Sequence, residues 1–128
     1  MGYEIIVEGE YVLLRVLPDT HVDRDLLMQM LAEVHANHAY QTEKKAGVWD
    51  FRDTRPEMGF YDMLRIKKYV RENYDPGWTH HYTALVVDNE AGFGFARMYE
   101  TITDDVPTEV SVFRDFDAAV AWVREKTA

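Results

Sequence analysis

The sequence predicts an α/β fold in the order β-β-α-β-α-β-α-β-α, a mostly parallel five-stranded sheet with an N-terminal hairpin and four helices. Three observations predict it. Two apolar segments open the chain with only Glu8-Gly9-Glu10 between them. Strand-like apolar runs and stretches of helical periodicity then alternate, which is the pattern of parallel strands joined by crossover helices. The third is Ala84–Val123, where an apolar strand enters a helix through glycines and a second strand enters a second helix. At 128 residues the chain is one domain, residues 1–128, with no linker, repeat or low-complexity segment.

Tyr3–Val7 and Tyr11–Leu17 form the hairpin, and Gly9 lies in its turn. Val12, Leu13, Leu14, Val16 and Leu17 are almost continuous, as in a strand covered on both faces. Pro18-Asp19-Thr20 ends it, and Thr20 or Asp23 can cap the next helix. Leu26, Leu27, Met30, Leu31 and Val34 give that helix its apolar face, as far as about His35. Val48–Phe51 is a short strand, followed by the loop Asp53-Thr54-Arg55-Pro56. A second helix over about Met58–Asn73 places Met63, Ile66 and Val70 together. Asp75-Pro76-Gly77 is a turn signal before the strand Tyr82–Val87. A third helix over about Gly92–Thr103 is ended by Asp104, Asp105 and Pro107. Glu109–Phe113 is the last strand, and a final helix starts at Asp115.

The bulk numbers remove whole classes of function. A net charge of −9 repels phosphate backbones and anionic lipid, so no nucleic-acid partner is expected. With no cysteine, the chain has no disulfide, thiolate nucleophile or cysteine metal site. The opening Tyr3-Glu4-Ile5-Ile6-Val7-Glu8 alternates charge and apolarity, unlike a signal peptide. No apolar run approaches the roughly 20 residues of a membrane span. A cytoplasmic protein is the expectation.

Three places in the chain carry a resemblance. They are Val48-Trp49-Asp50-Phe51-Arg52, then Ala84-Leu85-Val86-Val87 with Gly94-Phe95-Ala96-Arg97-Met98-Tyr99-Glu100, then Phe113-Arg114 with Ala119-Val120-Ala121-Trp122-Val123. Together they resemble the SpoIIAA-like family of the STAS-like fold group. They are similar to that family's apolar strand ending in Asp-x-Arg, its Gly-x-Ala-Arg-Met helix start and its closing Ala-x-x-Trp helix. The resemblance covers nearly the whole chain. It implies a STAS-like fold and a regulatory or binding module, sometimes suggested to hold lipid-like ligands. In the phosphorylated members of the wider group, an Asp-Ser-Ser-Gly-like motif opens the helix after the third strand. Here that stretch reads Asp50-Phe51-Arg52-Asp53-Thr54-Arg55-Pro56-Glu57-Met58-Gly59, and the chain's one serine is Ser111, inside the last strand. A phosphoserine switch is therefore not expected.

The candidate chemistry is sparse. The Asp50–Thr54 loop follows a strand's C-terminal end, where open α/β sheets place ligands. Asp50, Arg52, Asp53 and Thr54 read either as a polar site with Thr54 as phosphate acceptor, or as an Asp–Arg network holding the loop. The network is preferred, because fold-level analogy is a weak warrant for function. Gly92-Phe93-Gly94-Phe95-Ala96-Arg97 fails the dinucleotide fingerprint, since Arg97 stands where the third glycine belongs. Gly94 and Ala96 read instead as a close approach of helix to sheet, and Arg97 as a partner for Asp50.

His35 and His38 are three apart but lack a further placed ligand, so they read as solvated helix-end histidines and no metal or cofactor is expected. Ser111 lies at no nucleophile elbow. Arg65, Lys67, Lys68 and Arg71 make a basic cluster on the 58–73 helix. It reads as a solvated face or as a contact face for an anionic partner or membrane surface, and the resemblance implies a partner interface there. Phe93, Phe95, Tyr99, Tyr61, Tyr69 and Trp78 read as core, or as the lining of a cleft between the 58–73 and 92–103 helices.

The leading expectation is a non-catalytic module acting by protein–protein contact through the sheet's C-terminal edge. The alternative is a carrier or sensor of a small amphipathic ligand held between those two helices. An enzyme using Asp50, Asp53 and Arg97 ranks last. A homodimer is compatible with the exposed aromatics.

Overall fold

The computed structural model of the chain describes residues 2–73, 81–106 and 108–128. The turn expected at Asp75-Pro76-Gly77, together with Trp78, His80 and Pro107, lies outside the described residues. Among the described residues, seven strands and five helices follow in order: β1 Tyr3–Val7, β2 Tyr11–Val16, β3 His21–Val22, α1 Arg24–Ala36, α2 His38–Gln41, β4 Ala46–Asp50, β5 Arg55–Pro56, α3 Phe60–Asn73, β6 His81–Val86, α4 Glu90–Ile102, β7 Thr108–Phe113 and α5 Phe116–Thr127. The α/β class holds, with a mixed five-stranded sheet as expected. Two features add to the expectation. A one-turn helix, α2, is capped by the Asn37 side chain. The two-residue strands β3 and β5 pair in parallel within what reads as loop.

The five main strands lie in the order β1-β2-β4-β6-β7, the order in which the chain makes them. β1 is antiparallel to β2, with Tyr3 opposite Val16. The other neighbours are parallel. Crossovers between parallel strands are right-handed, so a sheet that always grows in one direction puts its crossover helices on one face. The core divides accordingly. Val12, Leu14, Trp49, Phe51 and Leu85 face α1–α4, together with Leu27, Tyr40, Ile66 and Phe95. The alternate residues Leu13, Val48, Ala84 and Val86 face α5 through Ala119, Val120 and Val123. Among the described residues, four helices lie on one face and a single helix on the other.

Several boundaries have local causes. Asp23, not Thr20, caps α1 by accepting the Leu26 amide at 2.8 Å. The last helix, expected to start at Asp115, starts at Phe116 with Asp115 as its cap. α4 starts at Glu90, two residues before the expected Gly92, because the Asn89 side chain accepts the Gly92 amide at 2.8 Å.

The close approach of α4 to the sheet occurs at Gly92, where an added Cβ would stand 3.0 Å from the Val87 Cβ. Gly94 was the expected contact, and it has nothing within 4 Å of that position. Ala96 is fully buried, as expected. Gly94 therefore carries the helix-propensity penalty of glycine with no packing return. Gly94→Ala is expected to stabilise the chain by about 1 kcal/mol. A urea melt in which the variant unfolds at or below the parent midpoint would refute that.

Candidate functional site

Asp50 ends β4 on the face that α5 covers and is 4 % exposed. The Arg52 guanidinium grips both of its carboxylate oxygens, at 2.9 and 2.8 Å. The Arg52 amide also donates to Oδ1 at 3.2 Å. Arg15 stands 3.9 Å from Oδ2 and 3.8 Å from Glu4. The hydrogen bond to Asp50 holds the Arg52 pKa above its ordinary value. The Arg52 guanidinium also lies 5.3 Å from the centre of the Phe116 ring at the start of α5. The carboxylate is thus spent on fixing the loop and tying it to α5.

Asp53 is left-handed, with φ 59°, and so is Asp19, with φ 63°. The Asp19 amide donates to the Asp53 carbonyl at 2.7 Å, and the Asp53 amide donates to Asp88 Oδ1 at 3.0 Å. The Thr54 side chain is buried, and its hydroxyl donates to the Phe51 carbonyl at 2.7 Å. In this conformation it presents no acceptor for a phosphate. Asp19, Asp53, Arg55, Glu57 and Asn89 border an open hollow of about 760 Å3 at the sheet's C-terminal edge. Its charges are of both signs.

Arg97 does not meet Asp50. Strand alternation points Asp50 toward α5, while α4 packs on the opposite face with Phe51 and Phe95. The expected pair fails because the sheet lies between its members, and an acid–base site of Asp50, Asp53 and Arg97 is not assembled. Arg97 instead borders an apolar groove of about 230 Å3 between α3 and α4, with Phe60, Met63, Leu64, Met98, Thr101 and Ile102. The expected aromatic lining is not there. Phe95 and Tyr99 are core residues, and Phe93 lies under Arg114, whose guanidinium is 4.4 Å from the ring centre. Tyr69 is half-buried against His35. Tyr61 is the exception, 81 % exposed beside Phe60 at the groove's rim.

The basic cluster lies along the same helix. Leu64 also borders a second hollow, of about 440 Å3, lined by Lys67, Lys68, Arg71 and Glu72. Lys68 stands 4.0 Å from Glu72, and Arg71 is paired with Asp105. No carboxylate lies within ion-pair distance of Arg65, Lys67 or Arg97 among the described residues. Sequence reasoning missed Phe60, Leu64 and Met98. The signal for the first two was the spacing of Phe60, Leu64, Lys67 and Arg71, which continues one helix stripe.

The histidines divide. His38 is exposed, 3.8 Å from Glu43. His35 was expected in water, but it is half-buried with its ring edge-on to Tyr40 and Tyr69, and burial lowers its pKa. Among the described residues no group of three or more His, Asp or Glu is placed to hold a metal ion. Nor, among them, is any helix long and apolar enough to cross a membrane. Comparison of the chain with protein-family models, curated proteins and solved structures returned no match.

Proposed function

We propose that the chain is a non-catalytic binding module of the SpoIIAA-like, regulatory type, acting by protein–protein contact in the cytoplasm. Its working face is the α3–α4 groove with the cations Arg65, Lys67, Lys68, Arg71 and Arg97. One observation carries the reading. Phe60, Tyr61 and Leu64, 69 %, 81 % and 43 % exposed, sit together on the first turns of α3, beside Arg65, Lys67 and Arg97, which meet no carboxylate among the described residues. A contiguous exposed apolar patch with a polar rim marks an interaction site. The groove's size favours a protein over a carried amphiphile. At about 230 Å3 it falls below the roughly 300–1,000 Å3 of small-molecule pockets, and it is open along its length.

The test is a photo-crosslinking residue in place of Tyr61, activated in cells. A discrete adduct with a second protein is expected, and it should disappear when Leu64→Asp is added. Adducts confined to lipid, or none at all, would defeat the reading.

A further inference from the structure

We infer that the occupant of this groove is an acidic amphipathic α-helix of a partner protein, an inference that rests on the reading of the α3–α4 face given above. The first argument is geometric. Phe60, Leu64, Lys67 and Arg71 follow a four-three-four spacing along α3, the spacing with which a helix presents a seam to another helix. From Phe60 to Arg71 the seam is about 16 Å long, or three turns. Met98 and Thr101, three apart on α4, supply the opposite wall at its apolar end. Leu64 lines both hollows, so the apolar end and the cationic end adjoin on the same helix. A helix laid in such a trough anchors by residues at i, i+3, i+4 and i+7. Met63 and Met98 line the apolar end, and methionine adapts to varied apolar partners.

The second argument is charge. Arg15, Arg24, Lys45, Arg52, Arg124 and Lys126 each meet a carboxylate of this chain. Among the described residues Arg65, Lys67 and Arg97, gathered on this face, do not, and elsewhere Arg55 and Arg114 do not either, although the chain carries 23 acidic residues against 14 basic ones. The cationic end already takes one carboxylate, that of Asp105 on Arg71. The complementary surface therefore has apolar side chains over its first two turns and Asp or Glu beyond and beside them. An anionic bilayer fits less well. It is flat where this face is concave, and the net charge of −9 opposes approach of the whole protein.

The experiment titrates the full chain against a fluorescent synthetic helix of about 18 residues, five turns long. Its leucines stand at i, i+3, i+4 and i+7, and its remaining positions are mostly glutamate. Three comparison probes are the same peptide with lysine for glutamate, the same peptide with serine for leucine, and vesicles of equimolar phosphatidylcholine and phosphatidylglycerol.

Saturable binding of the acidic peptide is expected, weakening as salt is raised. Leu64→Asp, and separately Lys67→Glu with Arg97→Glu, should each weaken it by about ten-fold or more. The Lys67→Glu/Arg97→Glu variant should gain binding to the lysine peptide. Leu64 and Arg97 are exposed and Lys67 is half-buried, and an unchanged far-ultraviolet spectrum confirms that the fold survives.

The inference is overturned if the acidic peptide fails to bind or if the serine peptide binds equally well. It is also overturned if vesicles, or a second copy of this chain detected by sedimentation, occupy the face in its place. If the peptide fails while Tyr61 still crosslinks to a protein, the acidic helix is wrong and the binding module stands. If the crosslink is also absent, both fall.

Discussion

Lowering the pH from neutrality to about 4 is expected to remove about 3 kcal/mol of stability through His81 alone. His81 opens β6 and is 3 % exposed. Its Nε2 lies 3.1 Å from the Lys45 carbonyl, which can only accept, so Nε2 carries the proton. Nδ1 then accepts from the Thr108 hydroxyl at 3.2 Å, and that oxygen stands 3.0 Å from Thr83. The Tyr40 ring meets the imidazole edge-on at 5.0 Å. The neutral ring is satisfied and buried, and burial pushes its pKa from 6.5 down to about 4. Between those values the unfolded chain binds a proton that the folded chain does not. The contribution is therefore complete above about pH 6.5 and is lost as pH falls toward 4. Burial lowers the pKa of the neighbouring His35 as well, so its effect has the same sign. Urea unfolding across this range should show the loss, and His81→Gln should flatten it. An imidazole resonance of His81 that titrates near 6.5 in the folded protein would sink the argument.

Gly47→Ala is expected to cost about 1–3 kcal/mol, the ordinary range for overpacking a core. No glycine among the described residues has positive φ, so Gly47 is not kept for its conformation. It is kept for space. The Trp49 ring folds back along β4, and a Cβ at Gly47 would stand 2.5 Å from one ring carbon and 2.7 Å from another. The ring cannot simply swing away, because it is 3 % exposed and packed 5.8 Å from the Tyr40 ring. Trp49→Leu made together with Gly47→Ala should therefore cost less than the sum of the two alone. A coupling of more than about 0.5 kcal/mol in a double-mutant cycle checks this, and additive costs would contradict it.

The contrast between Gly47 and Gly94 shows where the sequence is legible. Periodicity marks the apolar face of α1 and the core positions Met63, Ile66 and Val70, because those patterns extend over about two turns. It cannot mark α2, which has four residues, or β3 and β5, which have two each. Their signals lie in single side chains, such as the Asn37 cap, and in backbone pairing between distant segments.

The candidate site was legible in its parts but not in its pairings. The Asp–Arg network was readable from Asp50 and Arg52 because they are close in sequence. Asp50 and Arg97 were matched by charge, yet whether they meet depends on which face of the sheet each occupies. Strand order decides that, through the handedness of the crossovers, and composition says nothing of strand order. The groove was hidden for a related reason. Phe60 and Leu64 look like core residues of an amphipathic helix until the neighbouring helix is found to leave them uncovered.

The uneven covering of the sheet has a kinetic consequence. On one face four helices share the burial, so loosening any one leaves the others in place. On the other face α5 covers β4, β6 and β7 alone. It has 12 residues, too few for an isolated helix to be more than marginal in water. It therefore forms as it docks. Until then, Leu13, Val48, Ala84 and Val86 stand as a continuous water-facing apolar stripe across the three adjacent strands β2, β4 and β6. Such a surface on a folding intermediate is what aggregation acts on. The race between docking of residues 116–127 and self-association of that stripe governs how much of the chain reaches the native state.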